Sequence, residues 1–239
     1  MTAGLEGATI VVTGSRPQAA TLVGAIEAAG GRSIGLALLE IRDALDGGKA
    51  LEESITNATS EDWLVVLSRN AAIRLPDANR FLGRVAAIGS GTASALTDRG
   101  WSVDLLPEVE SSTGLLAAFA EIEVGGRVVI AQAEGGRPEL AEGLAERGVD
   151  VRAVHTYRNV MPEIDVEAPA LAKLADAVVF ASPTAAERYS EHIGSSPSKA
   201  VCIGEVTGDT ARTRGFQVHV AAAPTVEAIL TALEGCVAS

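Results

Sequence analysis

Short β-branched apolar runs recur along the chain, each closed by a turn rich in Gly, Ser, Thr or Pro and followed by an Ala-rich stretch with helical spacing. The runs cover residues 8–13, 63–67, 85–88, 103–106, 127–131, 149–154, 177–181, 200–203 and 218–221. Strands alternating with helices of about ten residues predict βαβ units and parallel sheet, so the expected fold class is α/β.

The chain also repeats itself. DWLVVLSRNAA from Asp62 resembles DAVVFASPTAA from Asp176, and VAAIGSGTASALTDRGWSV from Val85 matches AVCIGEVTGDTARTRGFQV from Ala200. The second alignment pairs Gly89 with Gly204, Thr92 with Thr207 and Gly100 with Gly215. More weakly, TIVVTGSRP near the start is similar to RVVIAQAEGGRP from Arg127, setting Arg16 opposite Arg137. The order is therefore unit A (8–42), unit B (62–120), A again (127–158) and B again (176–234).

Two similar α/β lobes predict a cleft between them, a favoured place for a ligand. Ligands of open parallel sheets collect at the carboxyl ends of the strands, where loops meet the N-termini of helices. Those loops are Thr13 to Arg16, Ser68 to Asn70, Gly89 to Thr92, Glu134 to Arg137, Ser182 to Thr184 and Gly204 to Thr207. Free backbone N–H groups and the positive helix end make each a carboxylate- or phosphate-binding element. Ser, Thr and Gly are also ordinary helix caps, and for any one loop capping is the better explanation; only the matched places of Ser68 with Ser182 and Thr92 with Thr207 add to the ligand reading.

Composition narrows the chemistry. Across 239 residues, 19 Lys and Arg face 31 Asp and Glu, a net charge of −12 that excludes a general affinity for nucleic acid or an anionic membrane surface. The start lacks a basic region ahead of its apolar run and no window is long and apolar enough to span a bilayer, so a cytoplasmic chain is expected. Cys202 and Cys236 form no CxxC, and His155, His192 and His219 lie scattered, so neither a disulfide framework nor a metal site is expected. Gly31, Ser33 and Gly35 spell a nucleophile-elbow pattern but lead from a helix into an apolar run, the reverse of an elbow. The Gly89-Ser90-Gly91 turn lacks the third glycine of a dinucleotide fingerprint, and no phosphate-loop lysine is present.

His155, Tyr157 and Arg158 cluster where the second A unit ends. A tyrosine at a strand end is commonly a packed residue with a wet hydroxyl. A phenol also keeps its proton at neutral pH and can deliver it as a general acid, and the residues leave both readings open.

In order along the chain, these motifs resemble those of the uroporphyrinogen III synthase family. Thr13 with Arg16 and Pro17 is similar to its opening Thr-Arg-Pro turn, and Asp62 to Ala71 to its D-W-[LI]-[IV]-F-T-S-x-N-A segment. Ile88 to Leu96 with Gly100, His155 to Arg158, Phe180 to Thr184, and Ile203 to Thr207 followed by Ala223-Pro224-Thr225 continue the likeness. Two residues separate Thr13 from Arg16 where the family has them adjacent, and Leu67 and Ala181 stand for family threonines.

The resemblance implies two flavodoxin-like lobes with parallel sheets and an interleaved chain, 1–38 plus 160–239 and 42–153, joined by a two-strand linker of 39–41 and 154–159. The repeats alone leave two consecutive lobes open. The implied activity is closure of the linear tetrapyrrole hydroxymethylbilane, with loss of water and inversion of ring D, by a monomer without cofactor. Tyr157 matches the family's tyrosine and is the candidate proton donor. Ser68, Thr92, Ser182 and Thr207 match positions lining the cleft, with Asn70, Gly89, Thr184 and Gly204 beside them, and Arg16, Arg137 and Lys199 are candidate cations. A noncatalytic two-lobed sensor of a tetrapyrrole or other anionic metabolite is the alternative from another functional class.

Overall fold

The computed structural model describes residues 4–14 and 16–238, leaving aside the side chains of 16–18. Two compact units result, one running to Glu40 and resuming at Val160, the other spanning Ile41–Asn159.

Elements are numbered in chain order through the whole molecule. The first unit holds β1 (Thr9–Gly14), β2 (Arg32–Ala37), β8 (Ala177–Phe180), β9 (Lys199–Cys202) and β10 (Gln217–Val220) in the order β10-β9-β8-β1-β2. Every pairing in it is parallel. Its helices are α1 (Arg16–Ala28), α7 (Ala168–Lys173), α8 (Pro183–His192), α9 (Glu205–Thr213) and α10 (Val226–Ala238). The central strands read as unbroken apolar runs because both faces are covered. Ile10, Val12, Ala177 and Val179 pack with Leu22, Ile26, Ile229 and Leu233, while Val11, Val178 and Phe180 pack with Ala185, Tyr189 and Phe216 on the opposite face. Phe180, Tyr189 and Phe216 meet edge to face with centroids 5.0–6.0 Å apart, and burial raises the Tyr189 pKa.

The second unit holds β3 (Glu40–Asp43), β4 (Trp63–Val66), β5 (Arg84–Ala87), β6 (Val128–Ala133) and β7 (Val151–Val160) in the order β3-β7-β6-β4-β5. The pairings β4–β5, β4–β6 and β6–β7 are parallel. Around it lie α2 (Lys49–Thr56), the single turn α3 (Arg69–Ala72), α4 (Ser90–Thr97), α5 (Ser112–Ala120) and α6 (Glu139–Ala145). Leu64, Val66, Val129 and Ala131 face one core, and Trp63, Val65, Val128 and Ile130 the other.

The two sheets share one plan. Counted from the strand that opens its A unit, β1 in one and β6 in the other, each sheet runs second, first, third, fourth, as in flavodoxin-like sheets. The strand order reverses between β1 and β8 in the first unit and between β6 and β4 in the second, the crevices where such sheets bind ligands. Gly100 and Gly215, matched in the repeat, have φ of 81° and 90°. Each follows its helix in the left-handed conformation that glycine adopts without strain.

Three local features differ from the run pattern. β2 and β3 are strands although neither forms an apolar run; β2 lies at a sheet edge and carries Arg32, Ser33 and Gly35, with Ser33 Oγ donating to Glu27 Oε1 at 2.8 Å. The run at 103–106 makes only the bridge between Ala86 and Leu105, since the Asp104 carboxylate accepts the Val85 N–H at 2.7 Å in place of a ladder bond. The run at 149–154 continues to Val160 through an irregularity in β7. Among the described residues, no helix is long and apolar enough to cross a membrane.

Candidate functional site

The expected ligand loops stand at the carboxyl edge of each sheet, and the repeat preserves their geometry. Ser68, at φ −166° and ψ 159°, caps α3 by accepting the Ala71 N–H at 3.0 Å. Its counterpart Ser182, at −169° and 160°, caps α8 by accepting the Ala185 N–H at 3.2 Å. Gly89 and Gly204 take extended conformations ahead of α4 and α9 and bring no side chain to cap them. One turn in, Thr92 and Thr207 are 5% and 4% exposed. Neither hydroxyl has a hydrogen-bond partner among the described residues, and neither oxygen is fully buried, so both side chains are packed while their hydroxyls stay open to solvent or a ligand.

The Tyr157 side chain is 7% exposed, and its hydroxyl oxygen accepts the Ser68 hydroxyl at 3.1 Å. Having spent its one proton there, Ser68 can still accept from Ala71, which makes it both helix cap and tyrosine ligand. The Tyr157 proton has no acceptor among the described residues. The ring packs among Val66, Ala131 and Val154, and the Arg74 guanidinium lies over it, 5.7 Å from the centroid. Arg74 is itself held by Asp43 at 2.9 Å and by the Asn70 carbonyl at 3.1 Å.

A bulge aims the ring. Residues of one strand face alternate sides, so Val154 and Tyr157, three apart, would lie on opposite faces of a regular β7. The register along β6 passes from Gln132 opposite His155 to Ala133 opposite Tyr157, inserting Thr156 as an extra residue. The Thr156 hydroxyl fixes the bulge on the Gln132 carbonyl at 3.1 Å, and the Glu134 N–H bonds the Tyr157 carbonyl at 2.7 Å. Tyr157 thereby joins the face of Val154, at the carboxyl edge beside Ser68.

The remaining candidates divide by position. Asn70 and Arg137 stand at the carboxyl edge of the second unit, Arg137 exposed and without a partner among the described residues. Thr184 lies in the first turn of α8. Lys199 opens β9 at the opposite, amino edge of its sheet, apart from the loops. The side chain of Arg16 lies outside the described residues.

Two residues not singled out from sequence also border this edge. Arg69 follows Ser68 and runs its stem beside Gly91, where its δ-carbon lies 3.6 Å from the place a Cβ would take. The Glu110 carboxylate accepts the Ser90 N–H at 2.8 Å, and the Ser90 side chain and N–H hold its pKa below the usual carboxylate range. A cation directly after a capping serine was a readable signal for Arg69, whereas Glu110 reaches Ser90 only through the fold.

A family model described as uroporphyrinogen-III synthase HemD matches residues 20–231. The chain belongs to the uroporphyrinogen-III synthase family. A family relative from Methanothermobacter thermautotrophicus, named as a candidate uroporphyrinogen-III synthase, is 30% identical over 198 residues, covering 77% of this chain and 78% of its own. The uroporphyrinogen-III synthase of Chlorobaculum parvum is 26% identical over 230 residues, covering 89% and 92%. In fold, the chain is similar to a mutant uroporphyrinogen III synthase from the extremely thermophilic bacterium Thermus thermophilus, with TM-score 0.65, 19% identity and coverage of 96% and 97%. It is similar also to the uroporphyrinogen-III synthetase of Helicobacter pylori, with TM-score 0.60, 19% identity and coverage of 95% and 99%. The family match favours a synthase over a noncatalytic sensor.

Proposed function

We propose that the protein is a hydro-lyase that closes hydroxymethylbilane to uroporphyrinogen III, with loss of water and inversion of ring D. The observation that carries this reading is the match of the synthase family over residues 20–231. The hydroxyl pair of Tyr157 and Ser68 supports a mechanism for it.

A hydroxymethyl group on a pyrrole ionises readily, because the ring nitrogen pushes electrons toward the departing carbon–oxygen bond. Tyr157 donates its proton to the leaving hydroxyl, which departs as water. Negative charge then develops on the phenol oxygen, and the Ser68 hydrogen bond strengthens with it. The electrophilic carbon is attacked by the substituted carbon of ring D, giving a spiro intermediate whose opening and reclosure at the free α-carbon invert that ring, and the proton which that carbon then loses restores the phenol. Holding the chain so that this carbon reacts, rather than the free terminal position, is work of orientation. Thr92, Thr207 and the N–H groups of the Gly89 and Gly204 turns are suited to hold acetate and propionate arms, with Arg137 adding charge.

Complementation tests the activity. Expressed in a bacterium whose own synthase gene is deleted, the protein is expected to restore haem-dependent growth. Failure with soluble protein present in the cells contradicts the reading.

A further inference from the structure

Glu110 occupies a place where a ligand carboxylate would sit, and the repeat shows that the fold does not require it there. Its counterpart in the first unit is Pro224, ahead of the cap Thr225 just as Glu110 is ahead of the cap Ser111. At Gly204 an added Cβ would meet nothing within 4 Å. At Gly89 it would lie 2.4 Å from Glu110 Oε2, so the absence of a side chain there makes room for a carboxylate. The acidic residue in the first turn of α9, Glu205, pairs with Arg212 at 3.4 Å instead.

Two further groups at this turn are left unmatched. Thr92 is 5% exposed, and its hydroxyl, which is not fully buried, has no partner among the described residues. Side chains in a helix tilt toward its N-terminus, which directs Thr92 back to the Gly89–Gly91 turn. Arg69 lies alongside Gly91, and among the described residues its guanidinium has neither an ion pair nor a hydrogen bond. Glu110, tethered 20 residues from Ser90, takes the backbone N–H but not Arg69. A free carboxylate can engage both.

We propose that the Gly89–Thr92 turn and Arg69 form a substrate-carboxylate site, that Glu110 fills it from within the chain, and that an acetate or propionate arm displaces Glu110 on binding. The substrate class rests on the synthase reading above. Glu110 is exposed and its described partner is Ser90 alone, so water replaces that contact readily and displacement costs little. The open turn at Gly204 takes its carboxylate without competition. The two repeats therefore differ in affinity, and Glu110 sets the difference.

Backbone amide NMR of the full chain, titrated with propionate, tests this without relying on turnover. In Glu110→Gln the Ser90 and Gly91 amides are expected to saturate at roughly fivefold lower propionate than in wild type, the scale expected when an exposed intramolecular competitor is weakened. The Glu205 and Val206 amides should respond alike in both proteins, and Arg69→Gln added to Glu110→Gln should reverse the gain. Glu110→Asp, whose shorter side chain keeps the charge, serves if the amide variant does not fold, and should shift the Ser90 titration in the same direction. Equal Ser90 titrations in wild type and variant, or weaker binding by the variant, overturn the proposal. With hydroxymethylbilane the variant should show a several-fold lower KM. If wild type does not turn over that substrate, the synthase reading fails while the propionate comparison still decides the role of Glu110.

Discussion

The hydroxyl of Tyr157 is the atom on which the proposed chemistry turns, because it combines a proton without an acceptor and an oxygen already held by Ser68. Tyr157→Phe keeps the ring in its packing with Val66, Ala131 and Val154 and removes only the donor. Rapid-quench measurement of hydroxymethylbilane closure is expected to show turnover slowed by about 100-fold, the lower end of general-acid effects. KM and the denaturation midpoint should change little. Unchanged turnover removes Tyr157 as the donor and leaves the fold unaffected. At this scale, sequence separated residue types better than it separated their settings. Tyr157 and the paired serines and threonines were readable from motif and repeat. The bond between Ser68 and Tyr157 was not, because it spans 89 residues of chain and depends on a single inserted residue in β7. Glu110 was hidden for a similar reason, and the motif position of Lys199 does not reveal that β9 carries it to the amino edge.

Among the elements, the strands buried on both faces were the most legible, since β1, β4, β6 and β8 have no solvent face to interrupt their apolar runs. Legibility fell at the edges. β2 has exposed Arg32 and Gly35 among covered and part-covered positions, and at 103–106 the Asp104 carboxylate takes the Val85 N–H that a regular ladder would have used. The loops preceding strands carry a matched pair of acids. Asp62 accepts the Thr59 N–H at 2.7 Å and the Arg127 N–H at 2.6 Å, joining the starts of β4 and β6, and Asp176 accepts the Thr9 N–H at 2.8 Å in the first unit. Partial burial acts to raise the Asp62 pKa, but the hydrogen bonds from Thr59 and Arg127 together outweigh it and lower the pKa. A depressed carboxylate contributes stability that is complete above its unfolded pKa, about 3.9, and is lost as pH falls through the lower folded value. The carboxylate is largely solvent-screened, so Asp62→Asn is expected to lose only roughly 0.5–1 kcal/mol at neutral pH in urea denaturation. The gap from wild type should narrow below about pH 4. A gap independent of pH contradicts this assignment.

For the whole molecule, the net charge of −12 and the proposed polyacid substrate stand in apparent conflict. At physiological salt the screening length is about 8 Å, so distant acidic residues weigh little against donors in contact with the ligand. The repeated turns supply such donors in each unit, and the charge total excludes broad basic surfaces without excluding local carboxylate sites. The α/β class and the parallel sheets were legible because two copies of one pattern reinforced each other. The strand order was not, since a repeat shows which segments are alike and says nothing of which ones pair. The central claim concerns the product, and isomer analysis addresses it directly. Hydroxymethylbilane prepared fresh and incubated with increasing protein, then oxidised and separated by isomer, is expected to shift from uroporphyrin I toward uroporphyrin III until the latter is nearly the sole product. Formation of uroporphyrin I alone, at the spontaneous rate and at every protein concentration, would contradict the account.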